Sequence, residues 1–169
     1  MPLPNKIIEA PLRLFGEYSV NCVIVGGVAA AIHGSLLLTN DLDVCYARDP
    51  ANLARLADAL QSVHARLRNV PQNVPLILDA ETLKRGLNFT FTTDIGDLAL
   101  LGEVRGVGQY DEVLRGSLRV ELFGYTFNVI DIGKLIVAKR AAGRPKDLIA
   151  LPELEAIQEA RERRSSETK

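Results

Sequence analysis

The segment that follows residue 19 places two apolar, strand-like runs on either side of a glycine pair. Residues 20–25 (VNCVIV) are rich in β-branched and apolar side chains, which is typical of a buried strand. Gly26 and Gly27 end this run, and the VAAAIH that follows predicts a short helix closed by Gly34. Residues 41–47 (DLDVCYA) begin with alternating polar and apolar residues, which predicts a second strand with one polar face.

Patterns along the rest of the chain add helices and antiparallel strands. We predict two hairpins, one from residues 87–93 and 97–104 and one from 117–124 and 125–132, because alternating strands flank turn residues in both. The segments with helical spacing are 5–18 (broken or started at Pro11), 51–62, 133–141 and 145–162. We therefore expect a mixed α/β (α+β) fold, with strands that cannot all be parallel and helices packed on the sheet.

Size and composition limit the class of protein. With 169 residues the chain is long enough for one domain with a sizeable core, which we expect to span residues 1–164 before a polar tail at 165–169. The net charge of −1 gives no sign of bulk binding to nucleic acid or anionic membranes, although a local basic patch can still act. No apolar run approaches the roughly 20 residues that span a bilayer, and no signal-peptide layout begins the sequence. We expect a cytoplasmic protein without membrane association.

Both cysteines lie in apolar, strand-like runs. We therefore expect Cys22 and Cys45 to be reduced thiols in the core. His33 and His64 are the only histidines, and neither has a catalytic or zinc-ligand spacing to a cysteine. The sequence therefore favours neither a cysteine nucleophile nor a zinc site.

The polar face of the second predicted strand carries two carboxylates. Asp41 and Asp43 are two residues apart, so their side chains project to the same face. Carboxylates held this close repel unless a cation lies between them, and Mg²⁺ combines one or two protein carboxylates with substrate phosphates. Gly26 and Gly27, at a helix start, leave backbone N–H groups open to an anion. This unit therefore fits a metal-bound triphosphate, while a tight turn with a capping Asp41 is the simpler alternative.

Three stretches together carry a resemblance to a known superfamily. The first is GGVAAAIHGS with TNDLDV, which resembles the first motif of the nucleotidyltransferase fold superfamily. FTTDIGDLALLGEVRGVGQYDEV is similar to its third-strand region, and LIVAKRAAGRPKDLIALPEL is similar to its C-terminal helical signature. The best match is with small bacterial members of the AbiEii type and related uncharacterised domains. The resemblance runs from about residue 23 to residue 154.

The resemblance implies Mg²⁺-dependent transfer of a nucleoside monophosphate from ATP or another nucleoside triphosphate (NTP) to an acceptor hydroxyl or phosphate. The acceptor would be tRNA, a protein or a small molecule. The metal would be held by Asp41 and Asp43. Because the chain is short, we expect a cognate partner protein or a homodimer to complete the cleft. We expect the nucleotide-binding residues to be Gly26, Gly27, Ser35, Thr39, Lys139, Arg144 and Asp147. The resemblance implies the roles of Lys139 and Asp147.

Two positions depart from the pattern of the resembling family. Ala99 stands where a third metal-binding carboxylate is expected, and Leu37 stands where many relatives carry an arginine that could contact phosphates. Asp97, on the same strand face as Ala99, is our candidate to replace the missing catalytic carboxylate, and Glu103 is an alternative. These changes keep open a second hypothesis, a catalytically impaired binding protein of toxin–antitoxin or defence type. The cations of residues 139–146 leave RNA binding as a third.

Overall fold

The computed structural model describes residues 6–169. In this range the helices are α1 (Lys6–Glu17), α2 (Gly26–His33), α3 (Pro50–Ser62), α4 (Ala80–Arg85), α5 (Tyr110–Leu114), α6 (Ile132–Ala142) and α7 (Pro145–Glu167). The strands are β1 (Cys22–Val25), β2 (Asp41–Tyr46), β3 (Arg66–Leu67), β4 (Asn88–Thr93), β5 (Gly96–Leu101), β6 (Glu103–Val104), β7 (Gly108–Gln109), β8 (Leu118–Leu122) and β9 (Tyr125–Val129).

Seven of these strands form one mixed sheet in the order β3-β4-β5-β2-β1-β9-β8. The pairs β1–β9 and β2–β5 are parallel, and the other neighbours in the sheet are antiparallel. Strands β6 and β7 form a separate two-stranded ribbon. The expected mixed α/β fold, with strands that are not all parallel, is therefore confirmed.

Both predicted hairpins are present. Strands β4 and β5 turn at Asp94 and Ile95, with Thr93 paired to Gly96. Strands β8 and β9 turn at Phe123 and Gly124, whose φ angles of 55° and 85° are the positive values that a two-residue type I′ turn requires. Glycine meets this requirement without the steric cost that a Cβ brings.

The structure differs from the sequence-based prediction at several helices. Helix α1 continues through Pro11, because Ile8, Leu12 and Phe15 on both sides of it are buried in one core. Helices α4 and α5 were not predicted, since five or six residues are too few for a periodic signal. Helix α7 extends to Glu167, beyond the predicted end at residue 162.

A single apolar core is formed by β1, β2, β5 and β9 together with the helices that cover them. Cys22 and Cys45 are free and buried in it, as expected, and burial raises the pKa of each thiol to about 12. Among residues 6–169 no helix has the length and apolar content needed to cross a membrane.

The long helix α7 is attached to the end of α2 through a buried histidine. Arg161 donates from Nη1 to His33 Nδ1 over 2.9 Å and from Nη2 to the His33 carbonyl oxygen over 3.0 Å. The other ring nitrogen, Nε2, lies 2.7 Å from the Ile130 carbonyl oxygen. Burial lowers the pKa of His33, which favours the neutral ring that accepts from Arg161. His33 therefore ties together α2, α7 and the end of β9.

Candidate active site

Strand β2 begins with the two aspartates, and the sheet register places them beside the glycine pair. Asp43 is paired with Val25, the last residue of β1 before Gly26. Leu42 and Val44, which alternate with the aspartates, are 1% and 0% exposed. Asp41 and Asp43 are both half-buried and line the same cavity. The alternation of the sequence therefore gives one core face and one carboxylate face.

The glycine pair is needed because neighbouring side chains lie too close for a Cβ. Gly26 has a φ of +63°, and a Cβ there would lie 2.1 Å from Asp43 Oδ2. A Cβ at Gly27 would lie 2.6 Å from Thr39 Oγ1. Helix α2 begins at Gly26 without a side-chain cap, so its first N–H groups remain available to a ligand. The close approach thus brings a helix N-terminus, which favours anions, against a carboxylate that favours cations.

We expect Gly26→Ala to lower the free energy of unfolding by about 3 kcal/mol, because αL strain of about 1–2 kcal/mol adds to the collision with Asp43. Gly116→Ala is the matched control. Gly116 has a φ of +75° and nothing within 4 Å of an added Cβ, so the control carries the strain without the collision. Urea denaturation of both variants measures the difference. Equal losses would contradict a close approach of Gly26 to Asp43.

Helices α6 and α7 bring cations to the opposite wall. Asp147 is buried and accepts from Arg144 Nε over 2.7 Å and from Arg144 Nη2 over 3.3 Å. Lys139 Nζ lies 3.7 Å from Asp147 Oδ1. Burial lowers the pKa of Lys139, whereas Asp147 and Asp43 oppose that shift. The hydrogen bond to Asp147 raises the pKa of Arg144. Asp147 therefore holds two cations at the cavity.

These groups surround one cavity of about 400 Å³. Of the ten residues predicted for catalysis or nucleotide binding, all but Asp97 line it. Its lining is Gly26, Gly27, Ala30, Ser35, Leu37, Leu38, Thr39, Asn40, Asp41, Asp43, Lys139, Arg144, Lys146, Asp147, Ile149 and Ala150. The basic C-terminal segment, more than 90 residues away in sequence, therefore meets the glycine pair and the aspartates in space.

Burial dominates the electrostatics of Asp43. It raises the pKa of this carboxyl to about 6, and the nearby charge of Asp41 acts in the same direction. Lys146 is the strongest of the cations that oppose the shift. A buried carboxylate next to a second carboxylate is costly in the charged form, and a bound divalent cation relieves that cost.

Asp97 and Ala99 lie on β5, in register with Asp41 and Asp43 respectively. The carboxylate of Asp97 is ion-paired with Arg68, with 2.9 Å between Oδ2 and Nη2. Glu103 lines a second cavity of about 470 Å³, which adjoins the first and shares Gly26 and Asp43 with it. The side chain nearest in register to Asp43 on β5 is therefore the methyl group of Ala99, and Glu103 faces the space around Asp43.

Ser35 has a partner that the sequence did not indicate. Its Oγ donates to Glu153 Oε2 over 2.8 Å, and the Leu36 N–H donates to Glu153 Oε1 over 2.7 Å. Glu153, on α7, therefore fixes the loop that forms one wall of the cavity. No local pattern links the two residues, because 118 positions separate them. Leu38 and Ile149, which are 97% and 67% exposed, form an apolar rim on the same cavity.

The donor set of the cavity suits a hard divalent cation that also binds a substrate. Among the described residues no cluster of three or more histidine, cysteine, aspartate or glutamate side chains could hold a metal. The carboxylates of Asp41 and Asp43 are oxygen ligands of the kind Mg²⁺ takes, and Mg²⁺ fills its remaining positions with water and substrate phosphate. The raised pKa of Asp43 is consistent with a Mg²⁺ site, because the bound cation would supply a counter-charge to the buried carboxylate.

No protein-family model matches the sequence, and no curated protein matches it. Solved structures do match. A candidate nucleotidyltransferase from Thermotoga maritima superposes with a TM-score of 0.56 at 16% identity, over 89% of this chain and 93% of that one. The lincosamide antibiotic adenylyltransferase LnuA, solved with lincomycin bound, superposes with a TM-score of 0.60 at 11% identity, over 92% of this chain and 98% of that one. The chain therefore has the nucleotidyltransferase fold.

Proposed function

We propose that this protein is a Mg²⁺-dependent nucleotidyltransferase that moves a nucleoside monophosphate from an NTP to an acceptor hydroxyl or phosphate. The observation that carries the proposal is the meeting of two carboxylates, an open helix N-terminus and three cations in one cavity. Each of these features binds one part of a metal–triphosphate complex. The nucleotidyltransferase fold of two solved neighbours adds support.

The roles follow from the position of each group. Asp41 and Asp43 would hold Mg²⁺, which would supply positive charge to the phosphates and to the leaving pyrophosphate. The N–H groups of Gly26 and Gly27 bind phosphate oxygens at the start of α2. Lys139 and the other cations on that wall neutralise the remaining phosphate charge. In the reaction the acceptor oxygen forms a bond to the α-phosphorus, and the bond from that phosphorus to the β-phosphate oxygen breaks.

The acceptor hydroxyl must lose a proton, and two carboxylates are candidates to take it. Asp97, the candidate from the sequence, has its carboxylate on Arg68 and does not line the nucleotide cavity. Glu103 is exposed and borders the adjoining cavity together with Asp43. A general base must reach the proton that it removes, which makes Glu103 the better placed of the two.

The acceptor is the least constrained part of the proposal. The apolar rim of Leu38 and Ile149 at the cavity favours an apolar or aromatic group on one of the substrates. LnuA is an adenylyltransferase of lincosamide antibiotics, small molecules, and it shares this fold. We therefore rank a small-molecule acceptor first, ahead of a protein hydroxyl or tRNA.

Binding of an NTP with Mg²⁺ should raise the melting temperature of the wild-type protein. A ligand at about 100 times its dissociation constant stabilises by about 2.7 kcal/mol. We expect the shift with Mg²⁺ and NTP together and expect it to disappear in Asp43→Asn. Asp97→Asn is the matched control, because it removes an equal charge from a residue outside the cavity, and it should retain the shift. A thermal-shift titration with each of the four NTPs makes the measurement.

No shift with any nucleotide would overturn the proposal. A shift without transfer to any acceptor would instead support the second candidate, a catalytically impaired binding protein of the kind found in toxin–antitoxin or defence systems. The observation that favours this candidate is the methyl group of Ala99 in register with Asp43. It removes a third carboxylate from that point of the sheet while leaving the nucleotide cavity complete.

A further inference from the structure

Strand β8 (Leu118–Leu122) forms one edge of the seven-stranded sheet, and within residues 6–169 no strand pairs with its outer side. The turn at Phe123–Gly124 shows which backbone groups point outward. Leu122 and Tyr125 flank this two-residue turn and so form a hydrogen-bonded pair. By alternation, Val120 and Leu118 also direct their N–H and C=O groups toward β9. The backbone groups of Arg119 and Glu121 therefore point away from the sheet.

The side chains of this edge are exposed and self-complementary. Leu118 is 45% exposed although it lies on the core face of the sheet, and Val120 is half-buried. Arg119 and Glu121 are exposed, lie on the opposite face, and form no ion pair with any residue in 6–169. Natural edge strands often carry charges of one sign, which repel a second edge. Here the two charges have opposite signs.

We propose that two copies of this chain associate through β8, antiparallel about Val120, so that the sheet continues from one copy into the other. In this register Arg119 lies opposite Glu121 of the second copy, and the same pair forms again by symmetry. Both are positions whose backbone N–H and C=O point outward, so each pair exchanges two hydrogen bonds. Leu118 lies opposite the second Leu122, and Val120 lies opposite its own equivalent.

The register is fixed by three features that agree. A shift by one residue would place apolar side chains opposite charged ones. A shift by two would place Arg119 opposite Arg119 of the second copy, or Glu121 opposite its Glu121, and would leave the other charge without a partner. Only pairing about Val120 forms the backbone hydrogen bonds, places opposite charges across from each other and places apolar side chains across from apolar ones. The interface lies two strands away from β1, which leads into the glycine pair, and no residue of β8 lines the cavity of the proposed nucleotide site. This dimer also differs from the expected homodimer in which the second copy would complete the cleft.

Charge reversal tests the proposal through sedimentation equilibrium of the purified chain. We expect the wild type to dimerise, and we expect Arg119→Glu and Glu121→Arg each to be monomeric, because each places like charges opposite one another twice. Mixing the two single variants should restore a dimer, since every pair across the interface then has opposite signs. The double variant R119E/E121R should dimerise alone for the same reason. If the single variants disturbed the surface without acting on this pairing, neither mixing them nor combining them would restore the dimer.

Arg66→Glu is the matched control. Arg66 is exposed on β3, at the opposite edge of the same sheet, so its reversal should leave the dimer unchanged. Circular dichroism of every variant separates loss of association from loss of folding. A wild type that stays monomeric up to about 100 µM, well above the dissociation constant of a stable dimer, would overturn the proposal. Dimeric single variants, or a mixture that stays monomeric, would overturn it as well.

Discussion

Replacing Asp147 with alanine should lower the free energy of unfolding by about 3 kcal/mol. The carboxylate pairs with Arg144 and with Lys139, and the side chains of Asp147 and Lys139 are only 4% and 11% exposed. Without Asp147 the Lys139 ammonium stays buried and loses its nearest counter-charge. Burial already lowers the pKa of Lys139, and Asp147 is the main group that opposes this shift. Urea denaturation at neutral pH measures the loss.

Two further variants separate the buried network from an ordinary ion pair. Glu155→Ala removes an equal charge from the exposed pair with Arg140 and should cost at most about 1 kcal/mol. Lys139→Met in the Asp147→Ala background removes the stranded ammonium and should recover part of the loss. If Asp147→Ala costs no more than Glu155→Ala, Asp147 does not hold the wall of the cavity. Asp147→Ala should also weaken NTP binding, because Lys139 and Arg144 lose the carboxylate that holds them at the cavity.

The local parts of this fold could be predicted from local sequence. The alternation in DLDV predicted a strand with one carboxylate face, and the structure buries Leu42 and Val44 as that pattern requires. Turn residues placed both hairpins correctly. Strong signals such as these depend on period-two spacing and on glycine, which act within a few residues. The short helix α5 has only five residues and gave no such signal.

The parts that could not be predicted depend on contacts between distant segments. Ser35, a predicted nucleotide-binding residue, lines the cavity, and its hydroxyl donates to Glu153, a contact that only the packing of α7 creates. Asp97 has a suitable residue type and strand face, yet its carboxylate forms an ion pair with Arg68, which follows β3, two strands away from β5 in the sheet. Sequence spacing predicted the face of each side chain. It carried no information on which neighbour would occupy that face.

Asp43→Asn should stabilise the protein at neutral pH when no metal is present. Burial raises the pKa of Asp43 to about 6 in the folded state, above the ordinary value of 3.8 that applies to the unfolded chain. The folded state therefore binds the proton more tightly, so this group favours folding below about pH 4 and loses that contribution as the pH rises through 6. Asparagine is neutral throughout. Its advantage over aspartate should grow by about 2 kcal/mol between about pH 4.5 and pH 7.5.

Denaturation of the wild type and Asp43→Asn at both pH values measures this difference, with Asp97→Asn as the control. Asp97 is half-exposed and ion-paired with Arg68, so its variant should lose up to about 1 kcal/mol at either pH. With a saturating Mg²⁺–NTP complex the wild type should become more stable than Asp43→Asn, because the complex binds the aspartate form and offsets the cost of burying that charge. An Asp43→Asn variant that is less stable than the wild type at neutral pH without metal would show that the Asp43 charge is already compensated by Lys146 and its neighbours. Which of the two proteins is more stable, with and without the ligand, therefore tests whether a bound cation offsets the cost of burying the Asp43 charge.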